Sequence, residues 1–200
     1  MSETVVGKIA QLTNTRNWAQ YYIEKRPDYN IYQTSPIIQG LIRKLMPMGE
    51  SLIEWGYGTG FTAIALANLK KRVFAYDPEI ELLAPAIAAR RENLNSLIGR
   101  AGFTCDLQML TPADIVYSQG LLEHFTDGEI KRSIDDQLIY AKRAVVFSVP
   151  SINYPQQDFG NERLMTLSEW ERILSPFADK LSQLYYYERD QHIIGVIRNG

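Results

Sequence analysis

The sequence predicts an α/β protein built on a seven-stranded, mostly parallel sheet with helices on both faces. From residue 51 onward, short apolar segments of β type alternate with helix-length amphipathic segments, which is typical of parallel strands joined by helical crossovers. The last two β-prone segments, 181–187 and 192–198, are separated by only four residues. Because so short a connection cannot hold a helical crossover, these two segments are expected to form an antiparallel C-terminal hairpin.

The individual elements follow from local patterns and together give a Rossmann-like arrangement. An alanine-rich apolar segment, 61–70, predicts a closely packed crossover helix after the first strand. A longer helix is predicted from one apolar face, formed by Ile80, Leu83, Ile87, Leu94 and Ile98. A further helix is predicted from Ile130, Ile134, Leu138 and Ala141. The predicted strands are 51–55, 72–76, 102–105, 113–117, 144–149, 181–187 and 192–198.

The composition fits one globular domain. The chain has 200 residues, of which 46% are hydrophobic and 22% charged, and this is enough for a substantial core. We interpret residues 1–200 as a single domain in three parts. These parts are an N-terminal helical cap (1–50), a core that contains the first five strands (51–149) and the segment that follows it (150–165).

Charge and cysteine usage narrow the function classes. A formal net charge of -2 does not favour nucleic acid as a partner. Cys105 is the single cysteine and cannot form an internal disulfide, and two histidines give no zinc-like cluster, so no metal is expected. The sequence starts without a secretory signal and contains no apolar segment long enough to span a bilayer. We therefore expect a cytoplasmic protein without a membrane partner.

A glycine-rich segment, Glu54-Trp-Gly-Tyr-Gly-Thr-Gly60, follows the first strand and opens a helix. Gly56, Gly58 and Gly60 therefore stand where the backbone must turn sharply and leave room for a ligand. The alternative is a strand-to-helix turn that binds nothing. The residues after the second and third strands decide between these interpretations.

Two aspartates occupy those positions. Asp77 comes about 20 residues after the loop, where a carboxylate can accept hydrogen bonds from both hydroxyls of a ribose. It is also suited to cap the next helix, and the two roles are compatible. Asp106 is expected beside the same crevice, because open α/β sheets bind ligands at the carboxyl ends of their strands. It is placed to accept a bond from an adenine amino group, and the alternative is a solvated turn aspartate.

These features resemble the class I S-adenosylmethionine-dependent methyltransferases. The resemblance runs in order from about residue 51 to 149 and includes the Asp-Ile-Val-Tyr-Ser-Gln-Gly-Leu-Leu-Glu-His-Phe segment at 114–125. It implies S-adenosylmethionine as cofactor, with the glycine loop near its methionine part. It also implies that Asp77 holds the ribose, Asp106 approaches the adenine, and two residues after strand four lie near the sulfonium. The cofactor-binding residues so implied are Glu54, Gly56, Gly58, Gly60, Asp77, Asp106, Ser118 and Gln119.

The chain departs from this family's usual pattern at two places. Trp55 and Tyr57 stand in the loop where the family usually has small or aliphatic residues, so the rings either make the loop bulkier or contact a ligand. The Asn-Pro-Pro-Tyr type of motif of many nucleic-acid and protein amino methyltransferases is absent after strand four, where Ser-Gln-Gly-Leu stands. This disfavours an exocyclic adenine or a glutamine amide as acceptor.

Methyl transfer from a sulfonium is an in-line displacement, so the protein mainly positions two partners and excludes water. A hydroxyl or ammonium acceptor also needs a base, and histidine titrates in the useful range. We predict His124 as this base because it directly follows strand four, with Glu123 orienting it or binding substrate. The alternatives are that His124 caps the pocket structurally and that Glu123 anchors the loop. His192 is interpreted as a surface or packing residue.

The segment 150–163 is polar and aromatic and too long for a minimal turn, which indicates a lid over the acceptor site. The alternative is a surface loop whose aromatic residues pack down. An acidic protein with an aromatic lid favours a small-molecule acceptor over protein or RNA. Trp18, Tyr21 and Tyr22 are placed either to cover the cofactor or to pack in the core. The predicted acceptor-site residues are Tyr154, Phe159, Asn161, Glu162 and Arg163.

Two other functions share part of the pattern. A nicotinamide-dependent oxidoreductase also has a glycine loop and a distal acid, but its G-x-G-x-x-G spacing would require a glycine where Phe61 stands. A Tyr-x-x-x-Lys sequence at 21–25 precedes the loop, whereas in short-chain dehydrogenases it follows the loop. The other alternative is a catalytically silent methyltransferase-like protein that binds partners. The intact glycines and Asp77 argue for retained cofactor binding.

Overall fold

The computed structural model describes residues 35–94, 100–155 and 161–200. Its strands form one sheet in the order β3-β2-β1-β4-β5-β7-β6. All neighbouring strands from β3 to β5 pair in parallel, whereas β7 runs antiparallel to both β5 and β6. The predicted fold class is therefore confirmed, including the C-terminal hairpin. The strands are β1 (Ser51–Trp55), β2 (Arg72–Tyr76), β3 (Arg100–Thr104), β4 (Ala113–Gln119), β5 (Ala141–Pro150), β6 (Leu181–Tyr187) and β7 (His192–Arg198).

Helices cover both faces of the sheet. The described residues contain α1 (Pro36–Leu45), α2 (Phe61–Asn68), α3 (Ile80–Asn93), α4 (Asp127–Tyr140) and α5 (Leu167–Ile173). Side chains of β1 alternate between the faces. Leu52 packs with the apolar residues of α1, α2 and α3, and Ile53 packs with those of α4 and α5. The protein thus has two core layers, one on each side of the sheet.

Helix α3 presents a different face from the one that its larger apolar residues predict. Its buried side chains are Leu82, Ala86 and Ala89, whereas Ile80 is 65% exposed. The predicted face is wrong because the small alanine side chains allow the helix to approach the sheet closely. The larger residues Leu83, Ile87 and Leu94 lie at the half-buried flanks, and Ile98 lies outside the described residues.

The N-terminal part of the chain is described only from residue 35. Helix α1 begins after Ser35, whose hydroxyl accepts a hydrogen bond from the Ile37 N–H at 3.2 Å. It buries Leu41 and Leu45 against the sheet. Trp18, Tyr21 and Tyr22 lie outside the described residues. Among the helices that are described, none is long and apolar enough to cross a membrane.

The topology determines where a ligand can bind. From β1 the chain moves outward to β2 and β3, then returns to place β4 on the other side of β1. The connections after β1 and β4 therefore leave the sheet in opposite directions and open a crevice between them. Strand β4 extends two residues beyond its predicted end, to Gln119, and so reaches this crevice.

Candidate functional site

A cavity of about 340 Å³ lies at the carboxyl ends of β1 and β4. Ligand pockets in proteins usually enclose about 300–1,000 Å³, so this volume suits a small molecule. Its wall is formed by the loop after β1, the segment after β4, the start of α1 and the residues that follow β5. The polar and glycine residues that line it include Glu54, Gly56, Thr59, Gln119, Gly120, Glu123, His124, Glu162 and His192.

The glycine loop adopts a backbone that other residues rarely adopt. Gly56, Gly58 and Gly60 have φ angles of 78°, 49° and 73°, all in the left-handed region. A Cβ atom on Gly60 would also lie 2.7 Å from the ring of Phe103. Gly60 is thus required twice, by its backbone angle and by the close approach of β3.

Glu54 joins the loop to the following helix from inside the protein. Its side chain is buried, and its carboxylate accepts a hydrogen bond from the Ala63 N–H in the first turn of α2 at 3.0 Å. Burial raises the pKa of Glu54 to about 8, although hydrogen bonds, including the one from Ala63, act in the opposite direction. Glu54 therefore changes charge near neutral pH at the wall of the cavity.

This raised pKa predicts a pH-dependent stability. Between the ordinary value of 4.5 and about 8, the folded state keeps a proton on Glu54 that the unfolded chain has lost. Stability from this group consequently falls as pH rises through that window. Glu54→Gln is uncharged and keeps an oxygen for Ala63, so it should be more stable than the wild type above pH 8, by up to about 5 kcal/mol.

Urea unfolding at several pH values checks this prediction. Near pH 4 the two proteins should unfold with equal free energies, and the difference should open progressively toward pH 9. Asp77 has a raised pKa as well, and its charge contributes to the raised pKa of Glu54, so the difference reports Glu54 together with its coupling to Asp77. A constant difference across the range would show that Glu54 is not protonated in the folded protein.

Asp77 fixes the glycine loop to the end of β2. One carboxylate oxygen accepts the Gly58 N–H at 3.1 Å, and the other accepts the Glu79 N–H at 3.1 Å, immediately before α3. The residue is 6% exposed, and burial raises its pKa to about 7. A carboxylate offers about four lone-pair positions, so about two remain for a ligand. Asp77 itself is not among the residues that line the cavity.

Two buried hydroxyls after β1 and near the end of β4 have unused hydrogen-bonding capacity, and of the two residues only Tyr57 lines the cavity. Neither the Tyr57 hydroxyl nor the Ser118 hydroxyl has a hydrogen-bond partner within the described part of the chain. The residues are 3% and 1% exposed, respectively. A buried polar group left without a partner costs about 1–3 kcal/mol, which a bound polar ligand can recover. The Tyr57 hydroxyl therefore fits a site that is completed by a ligand, whereas Ser118 lies outside the cavity lining.

Asp106 and Gln119 are the other two polar residues that the resemblance implies at the ends of strands. Asp106 is exposed and caps the short 3-10 turn Leu107–Met109, accepting the Gln108 N–H at 2.9 Å. Gln119 lines the cavity and accepts a hydrogen bond from the Thr62 hydroxyl of α2 at 3.3 Å. Gln119 thus connects the end of β4 to the helix that follows the glycine loop.

His124 and Glu123 lie together in a 3-10 turn, Leu122–His124, at the wall of the cavity. The two side chains are almost fully buried, with exposed fractions of 4% and 3%, and His124 Nε2 lies 3.9 Å from Glu123 Oε1. The other ring nitrogen, Nδ1, lies 2.7 Å from Asn161 Oδ1. Burial lowers the pKa of His124, against a raising effect from Asn161, so its ring is mainly neutral at physiological pH.

The segment after β5 contributes to the same wall. Tyr154 lines the cavity, and its ring centre lies 5.1 Å from that of His192. Asn161 reaches the wall through its contact with His124. Arg163 does not line the cavity, because its guanidinium binds the Phe125 carbonyl and the Asp127 carboxylate. Phe159 lies outside the described residues.

Comparison with known proteins identifies solved structures that share this architecture. No protein-family model matches the chain, and no curated protein sequence matches it. Solved structures do match. The magnesium protoporphyrin IX methyltransferase of Synechocystis PCC 6803 with bound S-adenosylhomocysteine aligns over 98% of this chain and 100% of its own, with a TM-score of 0.70 and 16% identity. The chain has the class I S-adenosylmethionine-dependent methyltransferase fold.

Other structures with this methyltransferase fold align over similar lengths. The same Synechocystis enzyme with bound S-adenosylmethionine aligns over 100% of this chain and 99% of its own, with a TM-score of 0.66 and 15% identity. An N-methyltransferase from Bradyrhizobium japonicum WM9 in complex with S-adenosylhomocysteine aligns over 92% and 99%, with a TM-score of 0.59 and 13% identity. Identities this low establish the fold alone.

Within the methyltransferase fold, His192 is a cavity residue that the sequence did not identify as part of the site. His192 was expected at the surface or in packing, but it is 7% exposed and lines the cavity. It begins β7 and pairs with Pro150 at the end of β5. Because an antiparallel strand starts where its parallel neighbours end, the first residue of the last strand must lie near the crevice. The predicted hairpin was therefore sufficient to place His192 near the crevice.

The two aromatic residues of the loop have separate environments. Trp55 is 1% exposed and packs on Tyr76 and Tyr140, with ring centres 4.9 and 5.9 Å away, on the α4 side of the sheet. Tyr57 lines the cavity and stacks edge-on with Phe103 at 5.1 Å. Trp55 is therefore a core residue, and only Tyr57 is positioned to meet a ligand.

Proposed function

We propose that this chain transfers a methyl group from S-adenosylmethionine to a small-molecule acceptor by in-line displacement. The observation that carries the proposal is that a single cavity joins the glycine loop after β1 to the buried His124 after β4. Such a cavity brings a cofactor-binding loop and a titratable group to one enclosed space. The methyltransferase fold supports the same assignment without fixing the acceptor.

The residues proposed to hold the cofactor occur at the carboxyl ends of four parallel strands. Ligands of open α/β sheets bind there, which supports a common site. When bound, S-adenosylmethionine supplies an activated methyl group on a positively charged sulfur. Glu54 and Gln119 line the cavity and provide carboxylate and amide oxygens for its polar methionine part. The proposed cofactor residues are Glu54, Gly56, Gly58, Gly60, Asp77, Asp106, Ser118 and Gln119.

The nucleoside part of this proposal depends on Asp77 and Tyr57. Asp77 keeps unused lone pairs for ribose hydroxyls, and the Tyr57 hydroxyl is a buried group without a partner among the described residues. Because Asp77 is only 6% exposed, access to its carboxylate requires a local rearrangement of the groups that cover it. We expect the Tyr57 side chain to take part, since it belongs to the same loop.

Three further proposals concern the acceptor. We propose that His124 accepts its proton, that Glu123 stabilises the resulting imidazolium, and that Tyr154 contacts the acceptor. The charged residues at the described cavity wall are acidic or histidine, with no lysine or arginine among them. Nucleic-acid sites require cations to bind phosphates, so this wall favours a small, uncharged or cationic acceptor over RNA.

Calorimetry on the purified chain tests the cofactor assignment. S-adenosylmethionine and S-adenosylhomocysteine should bind at one site per chain with micromolar dissociation constants, whereas reduced nicotinamide dinucleotide should not bind. Reversed selectivity would replace the proposal by an oxidoreductase. Binding of none of the three would remove the cofactor altogether.

A labelling experiment then tests the reaction. The chain is incubated with methyl-labelled S-adenosylmethionine and a cell extract separated into small molecules, RNA and protein. Label should accumulate in the small-molecule fraction. Label in RNA or protein would contradict the acceptor class but not the reaction, and cofactor binding without transfer to any fraction would favour a binding protein.

A further inference from the structure

We propose that Asn161 is a positioning residue, which holds the His124 imidazole in the tautomer with a proton on Nδ1 and leaves Nε2 to accept a proton. This inference rests on the proposed function only for its catalytic consequence. The tautomer itself is a property of the chain alone. Neither the residue pair nor the tautomer is dictated by the methyltransferase fold, because Asn161 belongs to the segment after β5.

Distances decide which neighbour controls the ring. Asn161 Oδ1 lies 2.7 Å from His124 Nδ1, a full hydrogen bond, and an amide oxygen can only accept. With the Asn161 amide oriented in this way, the contact is a hydrogen bond only in the tautomer that carries the proton on Nδ1. Glu123 Oε1 lies 3.9 Å from Nε2, beyond hydrogen-bond distance, so it competes only weakly for the opposite tautomer.

The same geometry gives Glu123 a use after proton transfer. In the neutral ring, Nε2 carries the lone pair and is the nitrogen able to take a proton from an acceptor. Once Nε2 is protonated, the ring is a cation held by Asn161 on one nitrogen and facing the Glu123 carboxylate from the other. Burial disfavours this cation and lowers the pKa of His124, whereas the hydrogen bond to Asn161 and the charge of Glu162, which also lines the cavity, act in the opposite direction.

Arg163 fastens Asn161 in place. Its backbone N–H donates to the Glu123 carbonyl at 2.9 Å, and its guanidinium binds the Phe125 carbonyl and, at 2.6 Å, the Asp127 carboxylate. These bonds attach the residues after β5 to both sides of His124. Asp127 also pairs with Arg172 at 3.0 Å, which links the attachment to α5. Arg163 thus holds the segment that carries Asn161 against the turn that carries His124.

Nitrogen NMR of the chain labelled with ¹⁵N-histidine measures the tautomer directly. The chain has only two histidines, and His124→Gln identifies the signals of His124 by their loss. At a pH where the rings are neutral, His124 should carry its proton on Nδ1, opposite to the Nε2–H form that free histidine in water favours. A wild-type His124 protonated on Nε2 would overturn the inference.

Two variants of similar size make the comparison specific. Asn161→Leu removes the acceptor and should shift His124 toward the Nε2–H form, whereas Asn161→Asp keeps an acceptor oxygen and should retain the Nδ1–H form. Arg163→Met, which keeps the aliphatic stem, should shift the ring partway. An unchanged tautomer in Asn161→Leu, with a native-like amide spectrum, would overturn the role of Asn161.

Kinetic measurements separate this inference from the proposed function. Asn161→Leu should lower kcat about tenfold, as loss of a partner that orients a functional histidine does, while the dissociation constant for S-adenosylhomocysteine stays within twofold. A confirmed tautomer in a chain that binds no S-adenosylmethionine would contradict the proposed function alone. Methyl transfer with unchanged kcat in Asn161→Leu would contradict the positioning role alone.

Discussion

Asp77→Ala should weaken the binding of S-adenosylhomocysteine by about 100-fold or more. Hydrogen bonds to a charged group contribute about 1.5–3 kcal/mol each, and the substitution removes those proposed to the ribose. It also releases the Gly58 N–H, which the Asp77 carboxylate accepts at 3.1 Å, and so loosens the loop itself. Calorimetry of each purified variant, at a pH above 8 where Asp77 is ionised, measures the change.

Asp114 provides a matched control at the opposite end of the parallel sheet, near the start of β4. Its carboxylate also accepts two backbone N–H groups, those of Glu50 and Ser51, at 2.8 and 2.9 Å. Asp114→Ala should lower the free energy of unfolding but leave the dissociation constant unchanged, because it lies far from the cavity end of β1. Equal effects of the two substitutions on binding would mean that Asp77 acts only through stability, and the ribose assignment would fail.

Local sequence patterns predicted the strands well where composition changes sharply. The strands β1, β2, β6 and β7 have their predicted bounds. Glycine or charged residues flank the first three of these strands, and the amides Gln191 and Asn199 flank β7. Strand β5 instead begins at Ala141, three residues before its predicted start, and includes the exposed Lys142 and Arg143. Pairing of Ala141 with Ala113 extends the strand there, and such pairing leaves no mark in local hydrophobicity.

The buried face of α3 shows a second limit of pattern reading. The largest apolar residues suggested one face, but the helix packs through Leu82, Ala86 and Ala89. A helix packs on a sheet either through large apolar side chains or through small ones that allow close approach. The shape of the neighbouring surface determines which face of the helix is buried. A single helix sequence does not contain that surface.

The glycine loop and the His124 side of the cavity differ in how far the sequence alone predicts them. Glu54, the glycines and Asp77 lie within about 20 residues of one another, at positions that one strand–helix–strand unit dictates. His124 and Asn161 are 37 residues apart and meet only because the segment after β5 folds back on the turn after β4. The sequence predicted both His124 and Asn161 as site residues, but it did not predict the hydrogen bond between them. It also assigned Arg163 to the acceptor, whereas its guanidinium lies against Asp127.

His124→Gln should lower kcat by about 100- to 10,000-fold, the usual contribution of a positioned acid or base, while S-adenosylhomocysteine binding stays within twofold. Glutamine retains a polar side chain but cannot take up the proton. Turnover is measured as label transferred to the acceptor fraction under saturating cofactor. In the wild type the rate should rise with pH through the pKa of His124, which burial lowers below its ordinary value of 6.5.

The matched substitution is His192→Gln, at the other histidine of the chain. His192 lines the same cavity and packs beside Tyr154, so its loss should raise the KM for the acceptor while leaving the pH profile of kcat intact. His124→Gln should abolish that pH dependence. If instead His124→Gln keeps the wild-type rate and profile, His124 only closes the wall of the cavity. The acceptor would then be a group that reacts without a base, such as a neutral amine or a thiolate.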